Sequence, residues 1–240
     1  MNNFLKENLP ESYVLSKEIK GEYKCLQDGI IKFVRLEKSD FLDGKDKWVY
    51  ILTVAAHDKY SCHNSDSVAN IIFEVSILDN QIVLLDRWDQ ITHWELDDKK
   101  GLKNTLDNIV LPWLDWITQP SKLIDYLIRL EKLEPNSLSS AAINKFGSVL
   151  ADKLYLTPPR VRKSFNGIIA SLYKDLGNKE LAKVHLKKHR EFIIADHKPT
   201  QVKSFNESFE ANMKLIDEGL VELESGGGRC PGIKIKGQPS

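Results

Sequence analysis

The spacing of apolar residues changes once along this chain of 240 residues, and that change constrains the fold more than any motif does. Before residue 90, short β-branched and aromatic runs alternate with turn-forming Asp, Asn and Gly, which predicts strands. No helix-length segment separates the runs, so we expect them to pair as an antiparallel sheet. The runs lie at 30–36, 47–56, 68–78 and 81–85, and residues 13–23 could add a strand after a short helix at 4–9.

Beyond residue 97 the apolar residues recur every three or four positions, which predicts helices. Asp97 and Asp98 can cap the helix that follows them, and Pro112 is expected to break or kink that helix. Ser121 can cap another helix. The polar segment 134–140 predicts a linker. Further helices are predicted at 141–154, 159–176, 179–195 and 200–223.

These periods predict an α+β fold, in which an antiparallel sheet with packed helices is followed by an all-helical C-terminal domain. The predicted units are an α+β domain at 1–134, a helical domain at 135–224 and a disordered tail at 225–240. Hydrophobic residues make up 42% and charged residues 28% of the chain, which excludes collagen-like, mucin-like and wholly disordered classes. A chain of this length can bury a core without a disulfide or a metal.

The formal net charge is zero, but it is divided unevenly. Residues 1–134 hold 17 basic and 23 acidic side chains, and residues 135–240 hold 17 and 11, so the halves carry −6 and +6. Such asymmetry indicates separate domains or a surface for a charged partner. A solvated helix face, or docking on the acidic half, is the plainer interpretation. The candidate partner-binding residues are Arg160, Arg162, Lys163, Lys183, Lys187 and Arg190.

The acidic segment 86–98 is a second candidate site, with five carboxylates and a histidine. Oxygen ligands suit Mg²⁺ or Mn²⁺, and such an ion could activate water for hydrolysis. A polar loop followed by helix caps is the alternative, which we favour because the spacing matches no metal motif. The hydrolase hypothesis depends on Asp86, Asp89, Glu95 and Asp97.

A third candidate is the segment 57–63, which contains His57, Cys62 and His63. These residue types suit zinc, but a structural zinc site needs four ligands and no second cluster lies at the expected distance. Cys62 could also act as a nucleophile with a histidine base, although closeness in sequence does not establish that geometry. We therefore predict a loop without a metal.

His185 and His189 lie four residues apart, on one face of a predicted helix. Zinc proteases use this spacing with a glutamate directly after the first histidine, and Leu186 stands there instead. We therefore predict a histidine pair on the surface, and we assign no metal, no cofactor and no catalytic residue to this chain.

Three segments of the N-terminal half resemble a bacterial family known as domain of unknown function 4304. They are the strand-like 28–39, which begins with Asp-Gly, the segment Trp-Glu-Leu-Asp-Asp at 94–98, and Leu-Pro-Trp-Leu-Asp at 111–115. The resemblance covers roughly residues 1–130, and the first helix here is shorter than that of the family. It implies an α+β fold and supplies no assigned activity, so no catalytic residue is carried over.

Part of the C-terminal half is similar to a tetratricopeptide-type helical hairpin, of which one copy is visible. Because such repeats normally stack in threes, an irregular helical bundle is an equally good interpretation. The matching positions are Ile169, Ala170, Tyr173, Gly177, Ala182 and Leu186.

The three cysteines, Cys25, Cys62 and Cys230, form no paired motif, which favours reduced thiols and a cytoplasmic location. We expect no membrane partner, because no apolar run is long enough to span a bilayer. The leading hypothesis is a non-enzymatic protein-interaction protein, of the immunity or adaptor kind. Nucleic-acid binding through the basic helical face is the first alternative, and a metal-dependent hydrolase is the second.

Overall fold

The α+β fold class is confirmed by a computed structural model, which describes residues 3–17, 19–39, 47–62, 70–78, 81–84, 91–95, 97–131, 154–155, 165–197 and 202–225. The strands are β1 Val14–Leu15, β2 Glu22–Gln27, β3 Ile30–Ser39, β4 Lys47–Ala56, β5 Asn70–Leu78, β6 Gln81–Leu84, β7 Trp94–Glu95 and β8 Leu154–Tyr155. The sheet has the strand order β1-β2-β3-β4-β5-β6-β8, and β7 pairs with β4. All of these pairings are antiparallel except that of β6 with β8.

Tight turns set the first strands of the sheet. The predicted strand at 13–23 is in fact divided between β1 and the start of β2, with a turn at Gly21, whose φ is +81°. Asp28 and Gly29 then both take positive φ, at 51° and 77°, which is the geometry of a two-residue hairpin turn. At the other end, Leu78 pairs with Gln81, which confirms the predicted hairpin between β5 and β6.

Helices cover one face of the sheet and close the main core over the middle strands. Tyr50, Leu52 and Val54 of β4 point to this side and are fully buried. Tyr50 also donates a hydrogen bond to the carbonyl of Leu102, 2.8 Å away, which ties the sheet to the helices. The helices are α1 Phe4–Asn8, α2 Lys99–Thr105, α3 Leu111–Ile117, α4 Pro120–Glu131, α5 Asn166–Asp175, α6 Lys179–Asp196 and α7 Lys203–Glu224.

The chain stays helical through Pro112, so of the two effects expected there, a break or a kink, the break does not occur. A π-helical turn at Leu106–Val110 joins α2 to α3, and Pro112, which has no N–H to donate, lies in the first turn after it. The side chain of Asn108 donates to the carbonyl of Asn104 at 3.0 Å. Asp98 caps α2 as predicted, whereas Ser121 lies inside α4, which begins one residue earlier.

The C-terminal helices extend the main core as well as forming one of their own. Phe165, Ile168, Ile169 and Leu172 of the α5 region are buried in the same cluster as the sheet residues. The predicted linker, the domain boundary at 134 and the tail after residue 225 lie outside the described residues. So does the predicted helix at 141–154, except Leu154, which is a strand residue rather than a helical one.

None of the helices in the described part of the chain is both long and apolar enough to cross a bilayer.

Candidate partner-binding site

Residues 57–62, which we call the junction loop, leave the end of β4 and enter the space between the three C-terminal helices. The backbone N–H of Lys59 donates to the hydroxyl oxygen of Ser171 on α5, at 3.1 Å. The backbone N–H of Cys62 donates to the side-chain oxygen of Asn212 on α7, at 2.7 Å. The segment whose sequence offers a candidate metal or nucleophile site therefore connects the sheet to the helices.

Tyr60 is the apolar centre of the junction loop, and only 3% of its surface is exposed. A Cβ atom on Gly219 of α7 would lie 2.4 Å from the ring of Tyr60, so the helix approaches this ring as closely as glycine allows. The loop thus contributes the central side chain of a second core. The other buried members of that core are Ala170, Ala182, Leu186, Ile216 and Leu223.

Asp58 is a buried carboxylate beside the start of α5. It accepts a hydrogen bond from the backbone N–H of Tyr60 at 3.0 Å, and its second oxygen lies 3.7 Å from Nε2 of His189. Burial raises the pKa of the Asp58 carboxyl, and the nearby His189 and the Tyr60 N–H oppose part of that rise. Asp58 therefore organises the junction loop and faces α6.

His185 and His189 are both buried, so the prediction of a surface histidine pair is wrong. The ring nitrogen Nδ1 of His185 lies 2.7 Å from the side-chain oxygen of Asn166 on α5. Burial, and then the charge of Lys188, lowers the pKa of His185 to about 4. The four-residue spacing thus places two histidines on the inner face of α6, where they contact α5 and the junction loop.

The described basic residues lie on the opposite side of α6, next to α7. Lys183 forms an ion pair with Glu224 at 2.8 Å, and Arg190 forms one with Asp217 at 2.8 Å. The contact raises the pKa of Lys183 and lowers that of Glu224. Lys187 is exposed between these two pairs. Three of the sequence candidates, Arg160, Arg162 and Lys163, lie outside the described residues.

The two ion pairs have a common spacing. Lys183 and Arg190 are seven residues apart on α6, and Asp217 and Glu224 are seven apart on α7, so the pairs match across two antiparallel helices. Seven residues are close to two helical turns, so each set of charges forms one row. Exposed apolar side chains also occur on these helices, with Val184 at 46% and Val221 at 65% exposure.

The acidic segment 86–98 is only partly described. Glu95 pairs with Lys47 across β7 and β4 at 3.4 Å, and Asp98 accepts a hydrogen bond from the N–H of Gly101 at 2.8 Å. Asp97 is exposed, and Asp86 and Asp89 lie outside the described residues. His63, from the candidate segment 57–63, also lies outside them. Among the residues that are described, no group of three or more His, Cys, Asp or Glu side chains could hold a metal ion.

Sequence reasoning missed two features of this region. It did not place Tyr60 in a core, because one aromatic residue within a polar run gives no periodic signal. It also did not match the basic residues of α6 with the acidic residues of α7, although the seven-residue spacing of Asp217 and Glu224 is visible in the sequence.

No family model, no curated protein and no solved structure matches this chain. The resemblance of residues 1–130 to domain of unknown function 4304 stays a prediction.

Proposed function

We propose that this chain is a non-catalytic protein-interaction protein, and that the basic face of α6, defined by Lys183, Lys187 and Arg190, binds an acidic segment of its partner. The observation that supports this proposal is that two of the three cations already bind carboxylates presented by a helix, at 2.8 Å each. Because Lys183 and Arg190 are seven residues apart, they form one row on α6. This row matches carboxylates on a second helix better than it matches an irregular array of charges.

The composition around this face favours a protein partner over nucleic acid. Asp217 and Glu224 are interleaved with the cations, whereas a nucleic-acid footprint is a patch or stripe of basic residues. The exposed Val184 and Val221 offer apolar contact area, which protein interfaces combine with charged residues. The free thiols of Cys25 and Cys62 support a reducing compartment, and we propose the cytoplasm.

The proposal is tested with a synthetic amphipathic helical peptide that carries carboxylates seven residues apart, titrated into the full chain and followed by NMR chemical shifts up to millimolar concentration. We expect binding that weakens at least tenfold in the variant Lys183→Gln/Lys187→Gln/Arg190→Gln. The matched control is Lys6→Gln/Lys99→Gln/Lys122→Gln, which removes the same charge from exposed positions elsewhere.

Three results would overturn the proposal. They are no binding of the peptide, equal loss of binding in both triple variants, or tighter binding of duplex DNA or RNA than of the peptide. In the last case the affinity would fall steeply with salt because of counterion release, which is the signature of the nucleic-acid alternative.

A further inference from the structure

We infer that α7 is a displaceable strap that occupies, within the same chain, a groove for an acidic amphipathic helix of a partner protein. The groove is formed by α5, α6 and Tyr60 of the junction loop, and its rim carries Lys174, Lys183 and Arg190. This inference rests on the proposed function, and it specifies the partner as a helix and the mode of control as competition with α7.

Few residues of α7 are buried for its length, although its Asn212 accepts a hydrogen bond from the backbone N–H of Cys62. Only three of the 22 residues of α7 are buried, Ile216, Gly219 and Leu223, whereas seven of the ten residues of α5 are buried. The buried residues all lie in the second half of α7. In the first half, Phe205 is the most exposed large apolar side chain of the described residues, at 66%.

The ion pairs of α7 are exposed enough for another helix to replace them. The carboxylates of α7 pair with all three rim cations, the third pair being Lys174 with Glu222 at 2.6 Å. Most of the side chains involved are partly exposed, and water and salt weaken such pairs. An acidic helix from another protein could make the same contacts, so α7 and that helix would compete on similar terms.

The contacts of α7 also define the helix that the groove accepts. The apolar positions 216, 219 and 223 follow the i, i+3, i+7 spacing by which a helix lays one face into a groove. The middle position must be glycine or must shift the helix, because the ring of Tyr60 lies against it. A partner helix is therefore expected to carry glycine between two apolar residues, with acidic residues beside them.

The experiment uses the full chain with Gly219→Ala, because the added methyl group would collide with Tyr60 and leave the groove residues unchanged. We expect the amides of α7 to exchange with deuterium at least tenfold faster than in the wild type, while those of α5 and α6 change less than threefold. A synthetic peptide with the sequence of residues 203–224 is expected to bind the variant at least tenfold more tightly than the wild type. The matched control is Glu218→Ala, which adds a helix-favouring residue at an exposed neighbouring position.

A second variant covers the case in which Gly219→Ala disturbs the whole fold. Asp217→Asn/Glu224→Gln removes two ion pairs without a steric change, and we expect the same direction of effect, at least threefold in α7 exchange. Unchanged α7 exchange in both variants would overturn the strap. Peptide binding that depends on Lys183 and Arg190 but is equal in all variants would also overturn the strap while leaving the proposed function intact, whereas loss of all peptide binding would overturn both.

Discussion

Gly167, in the first turn of α5, is held against the buried carboxylate of Asp58. A Cβ atom at this position would lie 2.3 Å from an oxygen of Asp58. Alanine normally favours a helix over glycine by about 1 kcal/mol, but here the collision should prevail. We expect Gly167→Ala to lower the free energy of unfolding by about 2 kcal/mol, as measured by urea denaturation.

A double-mutant cycle shows whether the contact with Asp58 causes this loss. Asp58→Ala alone should also destabilise the protein, because the backbone N–H of Tyr60 loses its acceptor. In that background the added methyl group has space, so Gly167→Ala should be neutral or stabilising. Equal effects of Gly167→Ala in the two backgrounds would show that the strain arises elsewhere.

His185 makes stability depend on pH through its burial. Its folded-state pKa of about 4 lies below the 6.5 of an unfolded histidine, so the unfolded chain binds more protons between these values. The free energy of unfolding should therefore fall as the pH drops from about 6.5 towards 4, by on the order of 2 kcal/mol. The measurement is urea denaturation at several pH values on the wild type and His185→Gln.

The glutamine variant provides the contrast, because its side chain can still donate to Asn166 but does not titrate. We expect its stability to fall less steeply over the same interval, although carboxylates contribute to acid denaturation in both proteins. Parallel pH profiles for the two proteins would contradict the role assigned to His185.

At the scale of elements, the junction loop is held by two kinds of contact that should differ in strength. Tyr60 is buried in the second core, whereas the side chain of Lys59 reaches Asp175 in an exposed ion pair. We expect Tyr60→Ala to cost about 3 kcal/mol of unfolding free energy and Lys59→Ala less than about 1 kcal/mol. Chemical denaturation measures both values.

Hydrogen exchange shows where the loss occurs. Relative to the wild type, Tyr60→Ala should increase the exchange rates of the α6 and α7 amides more than those of the β3 and β4 amides. The reason is that the cavity opens in the second core. A uniform increase over sheet and helices would show instead that the loop supports the main core.

Most elements could be predicted from the sequence, because their periodic signals are long. The antiparallel strands, the hairpin after Leu78 and helices close to the predicted positions of α5, α6 and α7 are all observed. The π-helical turn at Leu106–Val110 could not be predicted, because Leu102, Leu106 and Val110 recur every four residues, which is also the spacing of an α-helix. The burial of His185 could not be predicted either, since it depends on Asn166 of a neighbouring helix.

At the scale of the whole molecule, the net charges of the two halves do not describe how the charges pair. The cations Lys174, Lys183 and Arg190 bind carboxylates of α7, within the same half of the chain. In one ion pair that joins the halves, the cation Lys59 belongs to the acidic half and the anion Asp175 to the basic half. The net charges of the halves imply the reverse. A net charge averages over about a hundred residues, whereas ion pairs form over a few ångströms, so the sum cannot predict them.

The continuity of the main core leads to a prediction about cooperativity. Ile169 of α5 is fully buried among sheet and helix residues of the N-terminal half, so its loss should weaken both parts together. We expect Ile169→Ala to cost about 3 kcal/mol of unfolding free energy. The predicted boundary at residue 134 can be tested in the same experiment.

All five tryptophans lie at or before residue 116, so their fluorescence reports on the N-terminal half alone, while circular dichroism at 222 nm reports on all helices. We expect both signals of Ile169→Ala to shift to the same lower urea midpoint, because two halves that share one core unfold together. The control is Val184→Ala, an exposed position on α6, which should change the midpoint little. A tryptophan transition that stays at the wild-type midpoint while the helical signal shifts would show that the halves are separate folding units. If the halves share one core, removal of the Ile169 side chain must lower the stability of both.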